Sequence, residues 1–322
     1  MREAAFIKRN EARWKDFESV LNGSKRPHPD KLAEIFIQLT DDLSFAQTQY
    51  PQSRTSSYLN SLTSRIHLEL YRNKREDKRR FVSFWKYEVP QVVYESRKQL
   101  LYALIIFLLA TSLGMVSAMY DDTFVRLIMG DGYVNMTLSN IEKGNPTAVY
   151  GTSDETSMFF AITLNNIRVS FFAFAAGVLL SVGTGILLFR NGIMVGAFFG
   201  FLLKQNVFAQ SIAVVMLHGT IELSSIVIAG GAGFVMGNSI LFPGTFSRLE
   251  SFKVGAKKGV KIIVGLIPLF VIAGFIESFI TRYAFMPIFI KLTIIVLSAV
   301  LMLYYFVYHP FKLFSNGKLR TN

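Results

Sequence analysis

The chain has 322 residues, of which 51% are hydrophobic and only 17% charged, and its mean hydropathy is +0.37. A soluble domain carries about 25% charged residues, so this balance, with long uncharged runs downstream, points to an integral membrane protein. A formal net charge of +12 would suit nucleic acid in a soluble chain; in a membrane protein it reads as Lys and Arg gathered on the cytoplasmic side, and no nucleic-acid partner is expected. The lack of cysteine excludes disulfides, thiolate-held zinc, iron–sulfur clusters and thiol catalysis.

Residues 1–20, MREAAFIKRNEARWKDFESV, mix charged and apolar side chains, so no signal peptide is expected. Residues 1–80 read instead as a cytosolic domain of amphipathic helices. The first places Ala5, Phe6, Trp14, Phe17, Val20 and Leu21 near helical spacing and closes at Asn22-Gly23-Ser24. The second opens near Pro29-Asp30, carries Leu32, Ile35, Phe36, Leu39 and Leu43, and is broken by Pro51. The third runs from about Ser53 to Arg80 with Leu59, Leu62, Ile66, Leu70 and Tyr71 as its stripe. Short connections between three helices predict a small antiparallel bundle.

The run RNKREDKRR at 72–80 fits a cytosolic helix end facing anionic headgroups better than a nucleic-acid patch. Residues 81–98 mix Phe81, Phe84, Trp85, Tyr87 and Tyr94 with Lys and Arg, the composition of an interfacial elbow helix, with Pro90 turning it into the membrane.

A six-span helical domain follows over 99–310, with spans expected at 99–119, 169–189, 192–209, 216–241, 260–280 and 285–308. The fold class is therefore all-α, a polytopic membrane bundle behind a cytosolic helical domain. The segment 120–157 holds Asp121, Asp122, Asp131, Glu142, Asp154 and Glu155 against Arg126 and Lys143, and is expected outside. The 243–259 loop, with Arg248, Lys253, Lys257 and Lys258 against Glu250, and the 311–322 tail, with Lys312, Lys318 and Arg320, are expected in the cytoplasm. Both termini then face the cytoplasm. Residues 158–189 and 207–242 exceed one crossing, so 158–170 and 207–217 are expected as short interfacial or re-entrant pieces on the outer side, the second turning at His218-Gly219.

Polar residues inside this domain gather toward one leaflet: Asn165, Asn166 and Arg168, then His218 and Glu222 at i and i+4, then Glu277, with Lys291 beyond. A membrane-embedded glutamate is costly unless paired or hydrated. Arg168 or His218 is the expected partner of Glu222, in a cluster that either locks the bundle or lines an outward-open cavity. For zinc, His218 and Glu222 supply only two ligands, because His28, His67 and His309 lie on the cytosolic side, so no metal is expected. HGTIE lacks the second histidine of HExxH, and there is no GxSxG elbow and no Walker A loop. No enzymatic activity and no cofactor are expected.

Gly192, Gly196 and Gly200 recur at four-residue spacing, as do Ala229, Gly233 and Gly237. Small-xxx-small faces let helix backbones approach closely in lipid. Packing between spans three and four is expected from them, with a homodimer as a second use.

Four stretches resemble the stage II sporulation protein M family of polytopic membrane proteins. AAFIKRNEARWKDFE carries Phe6, Arg13 and Trp14; residues 165–197 carry Asn165, Asn166, Phe174, Gly177, Gly183, Asn191 and Gly192; HGTIELSSIVIAGGAG carries His218, Gly219 and Glu222; Pro243 follows the fourth span. The resemblance implies a membrane protein that helps assemble peptidoglycan-remodelling machinery and has no established enzymatic activity. The large amino-terminal region looks like the form found in bacteria that do not sporulate, so a sporulation role is not carried over. The expected partners are the lipid bilayer and envelope or cell-wall machinery. The alternative is a transporter, channel or ABC-type exporter-permease component, similar in its elbow and six spans, whose ATPase would be a separate chain.

Overall fold

The computed structural model describes residues 2–22, 29–71, 79–148, 154–283 and 286–315. Most of the basic run at 72–80 and the tail cations Lys318 and Arg320 lie outside these residues. Among them every regular element is helical, and the chain divides into two compact units, Met1–Arg80 and Phe81–Asn322.

The first unit is built from α1 (Glu3–Asn22), α2 (Pro29–Gln49) and α3 (Arg54–Tyr71). Phe6, Trp14 and Phe17 from α1, Leu32, Ile35, Leu39 and Ala46 from α2, and Leu59, Leu62 and Ile66 from α3 close one core. The polar seams match that core. Trp14 is 2% exposed and donates its indole N–H to Asp42 over 2.8 Å, while Arg13 donates to the same carboxylate at 2.5 Å. Thr55 donates to Glu3 over 2.7 Å, joining α3 to α1.

The second unit opens on the elbow: α4 (Arg79–Ser83), a π turn (Phe84–Glu88) and α5 (Val89–Glu95). Pro90 sits in the first turn of α5, where its missing N–H costs nothing. Val89, Val92 and Val93 are buried in the main core of this unit. Six helices are long and apolar enough to cross a membrane: α6 (Arg97–Tyr120), α9 (Glu155–Ala175, continued by a 3-10 turn to Val178), α10 (Val182–Lys204), α11 (Phe208–Leu241), α12 (Arg248–Phe275, continued by a π turn Ile276–Ile280) and α13 (Ile288–Leu303, continued to α14, His309–Ser315). The chain is a multi-pass membrane protein. Between α6 and α9 lie two helices that periodicity did not reveal, α7 (Asp122–Met129) and α8 (Asp131–Glu142). They turn at Gly130, whose φ of 83° suits glycine.

The six long helices alternate in direction between two faces. On one, the loop face, Lys204 at the end of α10 pairs with Asp122 of α7 at 2.8 Å. Arg282, after the π turn of α12, pairs with Glu155 at the start of α9. On the other, the elbow face, Lys261 meets Glu88 at 2.6 Å and Lys258 meets Glu95 at 2.8 Å. There Tyr305 also donates to the Trp85 carbonyl over 2.7 Å.

The structure corrects the expected second, third and fourth spans. The chain reverses at residues 179–181, with Leu180 at φ 54° and Ser181 at φ 68°, and not at 189–192. That reversal uses left-handed backbone at two residues that are neither Gly nor Asn, inside a long uncharged run, so hydropathy could not mark it. Arg190, Asn191 and Gly192 therefore sit within α10. The pieces at 158–170 and 207–217 are parts of continuous α9 and α11, and no turn occurs at His218-Gly219. At 34 residues, α11 is about 51 Å long against a hydrocarbon core of about 30 Å. Its excess needs no re-entrant turn.

The glycine faces meet the expected neighbour in part: the α11 face touches the start of span three, while the α10 stripe turns to span one. A β-carbon on Gly192, Gly196 or Gly200 would strike the backbone or Cβ atoms of α6 at Phe107, Ala110, Thr111, Met115 or Ala118. The α10 stripe thus packs on span one, and Gly114 of α6 abuts the Ile193 backbone in return. Gly233 and Gly237 of α11 close on Ala173 and Gly177 of span two and on Ser181 and Thr184 at the start of span three. These faces are used inside the chain.

Candidate polar centre of the membrane unit

α11 is the longest helix of the unit and, with α9 and the end of α12, carries its central polar side chains. Counting from Phe208, His218 lies about 15 Å and Glu222 about 21 Å along the helix from the loop face. The four-residue spacing sets them on one side, and Ser225 continues that side at 0% exposure. α9 presents a matching row, Thr163, Asn166 and Ser170, all buried. The third contributor is the π turn that ends α12. Its i→i+5 bond, Thr281 N–H to the Ile276 carbonyl at 2.8 Å, widens the helix and brings Glu277, Ser278 and Thr281 to this centre.

One ligand atom from each of His218, Glu222 and Glu277 lies within 4.8 Å of the others. His218 Nε2 is 3.8 Å from Glu277 Oε1, and the two side chains are 6% and 14% exposed. On its other nitrogen, His218 Nδ1 is 3.3 Å from the Thr281 hydroxyl. That hydroxyl donates to the Ile276 carbonyl over 3.1 Å, so toward the imidazole its oxygen can only accept. The assignment follows that Nδ1 carries the proton and the Nε2 lone pair is turned toward the carboxylates.

Four of the six residues of the sequence-predicted cluster are therefore assembled. His218, Glu222, Glu277 and Asn166 come together. Asn166, 4% exposed, stands beside the Glu222 carboxylate, yet its amide nitrogen meets no acceptor in hydrogen-bond geometry among the described residues. Asn165 and Arg168 are exposed on the far side of α9, and Arg168 lies over the Phe172 ring at 5.5 Å. Arg168 is not the partner of Glu222, because two residues of helix turn it to the opposite side of α9 from Asn166. Lys291 is buried on α13. Thr281, Ser278 and Thr163 were missed; Ser278 and Thr281, near a helix end, carry no sequence signal until the π turn is known, and Thr163 is a lone hydroxyl in the middle of α9. The hydroxyls of Thr163, Ser170, Ser225 and Ser278 are buried without a hydrogen-bond partner among the described residues, an unusual concentration of unsatisfied polar atoms.

Tyr133 of α8 reaches toward the same region from the loop face. Burial pushes its hydroxyl above the ordinary phenol range, the Thr137 hydroxyl opposes this, and the Glu277 carboxylate adds to the rise. A separate cleft of about 900 Å³ opens between α9, α10 and α7. It is lined mainly by apolar side chains, with Arg190 and Asn191 among them, and by none of the polar-centre residues.

The family model described as stage II sporulation protein M matches residues 103–282, more than half of the 322 residues. A second model, a domain of unknown function (DUF8413), matches residues 4–72, within the first unit. No curated protein and no solved structure matches the chain.

Proposed function

The chain belongs to the stage II sporulation protein M family, and from that premise we propose that it is a non-enzymatic scaffold for cell-envelope or peptidoglycan-remodelling machinery. The carrying observation is the helical unit 1–80, which has its own core around Trp14, Leu39, Leu59 and Ile66. A unit that stabilises itself without lipid is suited to recruiting a second protein to the membrane. The burial of His218 and the partial burial of Glu222 and Glu277, where α9, α11 and the end of α12 meet, support a locking role for the polar centre over an open pathway.

In this reading the protein resides in the cytoplasmic membrane of a bacterium, with the elbow face and both termini in the cytoplasm. The support is charge: Arg248, Lys253, Lys257, Lys258 and Lys261 lie toward the elbow face, and Asp121, Asp122, Asp131, Glu142 and Asp154 toward the loop face. The transport reading keeps one observation in its favour, the unsatisfied hydroxyls around Glu222.

The two separate by experiment. Removal of residues 1–80 is expected to abolish co-assembly of envelope-remodelling proteins while leaving the membrane unit folded. Glu222→Ala in proteoliposomes is expected to change no solute or ion flux. Flux in the wild type that Glu222→Ala abolishes, with assembly intact, would overturn the scaffold reading.

A further inference from the structure

Two carboxylates and an imidazole converge in the interior of the membrane unit, an arrangement that ordinary packing does not favour. Buried carboxylates repel one another and lose hydration, so one cation or added protons must balance them. The spacing suits the cation. Three atoms no more than 4.8 Å apart lie at most about 2.8 Å from a common centre, against about 2.0–2.2 Å for zinc bonded to nitrogen or carboxylate oxygen. A side-chain adjustment of roughly 0.6 Å closes that gap.

Two further observations point the same way. Thr281 accepts from Nδ1 at 3.3 Å and is itself anchored on the Ile276 carbonyl. This is the outer-shell arrangement that fixes the tautomer and aims the opposite nitrogen of a metal-ligating histidine. Independently, Asn166 is 4% exposed and its side chain lies against the Glu222 carboxylate, outside strict hydrogen-bond geometry, so it can orient a ligating carboxylate or hold a water on the ion.

We propose that His218, Glu222 and Glu277 form a binding site for a first-row divalent transition cation of the zinc class, which clasps α11 to the π turn of α12. One imidazole with two carboxylates excludes soft thiophilic ions and is too nitrogen-rich to be a dedicated calcium cage. The reading is independent of the scaffold assignment: a metal clasp would stand in a transporter as well.

The test uses the full chain in detergent, stripped with EDTA, then equilibrated with Zn²⁺ and analysed by elemental mass spectrometry. One zinc per chain is expected. His218→Asn, Glu222→Gln and Glu277→Gln should each weaken binding at least about tenfold, and Thr281→Val about 10–100-fold as an outer-shell change. Asn165→Ala, at an exposed neighbour, should leave binding unchanged. The proposal is overturned if the wild type retains no more zinc than the His218→Asn/Glu277→Gln double variant, or if folded Glu277→Gln keeps wild-type affinity. Tighter binding of Ca²⁺ or Mg²⁺ than of Zn²⁺ would overturn the cation class. Should the ligand variants fail to fold, the wild type alone decides: zinc must raise its apparent Tm with increasing concentration, reversibly by EDTA. X-ray absorption must also show one imidazole nitrogen with oxygen neighbours. No Tm response, or an all-oxygen shell, sinks the site.

Discussion

Gly196 of α10 lies so close to the Thr111 carbonyl of α6 that no β-carbon fits between them. The contact is backbone against backbone, so neither partner can rotate away. Gly196→Ala is expected to destabilise the membrane unit by about 1–3 kcal/mol through overpacking, seen as a lower apparent Tm in detergent. Gly219 is the control. A β-carbon there meets only the Met216 sulfur at 3.7 Å, so Gly219→Ala should be neutral or stabilise by about 0.5–1 kcal/mol through helix propensity. Equal losses at both positions would contradict this account of the packing.

Asp42 accepts from both Trp14 and Arg13 in the first unit. Asp42→Ala leaves a buried indole N–H without its acceptor, at a cost of about 1–3 kcal/mol. Urea unfolding of the full chain followed by tryptophan fluorescence should show an early transition moved to lower urea. Arg13→Ala should move it less, because that side of the pair is 42% exposed and exposed ion pairs contribute little.

Asp154 caps α9, accepting from the Ser157 backbone N–H at 2.9 Å. That bond to the ionised form holds its carboxyl below the ordinary carboxylate range. A folded pKa below the unfolded value means the contribution is complete above the unfolded value, near 3.9, and fades as pH falls through the folded one. The Tm difference between wild type and Asp154→Ala should therefore hold from pH 7 to pH 5 and shrink toward pH 3. A difference that grows on acidification would be the wrong sign.

Tyr305 joins the sixth span to the elbow through its hydroxyl on the Trp85 carbonyl. Tyr305→Phe removes that bond and keeps the ring, so a loss of about 0.5–1.5 kcal/mol is expected. Faster proteolysis near residues 84–88 in the variant would report the released elbow.

Much of this architecture is legible in the sequence where one physical signal acts alone. The stripes of α1, α2 and α3 follow helical periodicity, and α6 is a plain uncharged run ending at polar residues. The reversal at Leu180-Ser181 is hidden because its backbone strain is held by tertiary contacts, Gly177 against Gly233 and Ser181 against Gly237, with no glycine or proline at the turn itself. α7 and α8 escape because they are short and their apolar sides, at Val125 and Val134, complete a core with Ala118, Ala197 and Phe201 from elsewhere in the chain. His218 and Glu222 are a readable i, i+4 pair. Their third companion, Glu277, joins them only through a π turn, and nothing in residues 276–280 announces one. Misplacing the reversal also put Arg190 in a loop, when it belongs to the exposed surface of a spanning helix.

That placement has a mechanical consequence for the surrounding lipid. Arg190 stands about 12 Å from the start of α10 and Arg168 about 15 Å from the end of span two, both exposed, on adjacent antiparallel helices. Two guanidinium groups at that depth draw water and phosphate inward from the nearer leaflet. That pull would thin the bilayer along the flank formed by these two helices. An asymmetric dent of this kind carries elastic energy that two neighbours can share, so the chain would sort toward thin or curved membrane without any protein partner directing it there.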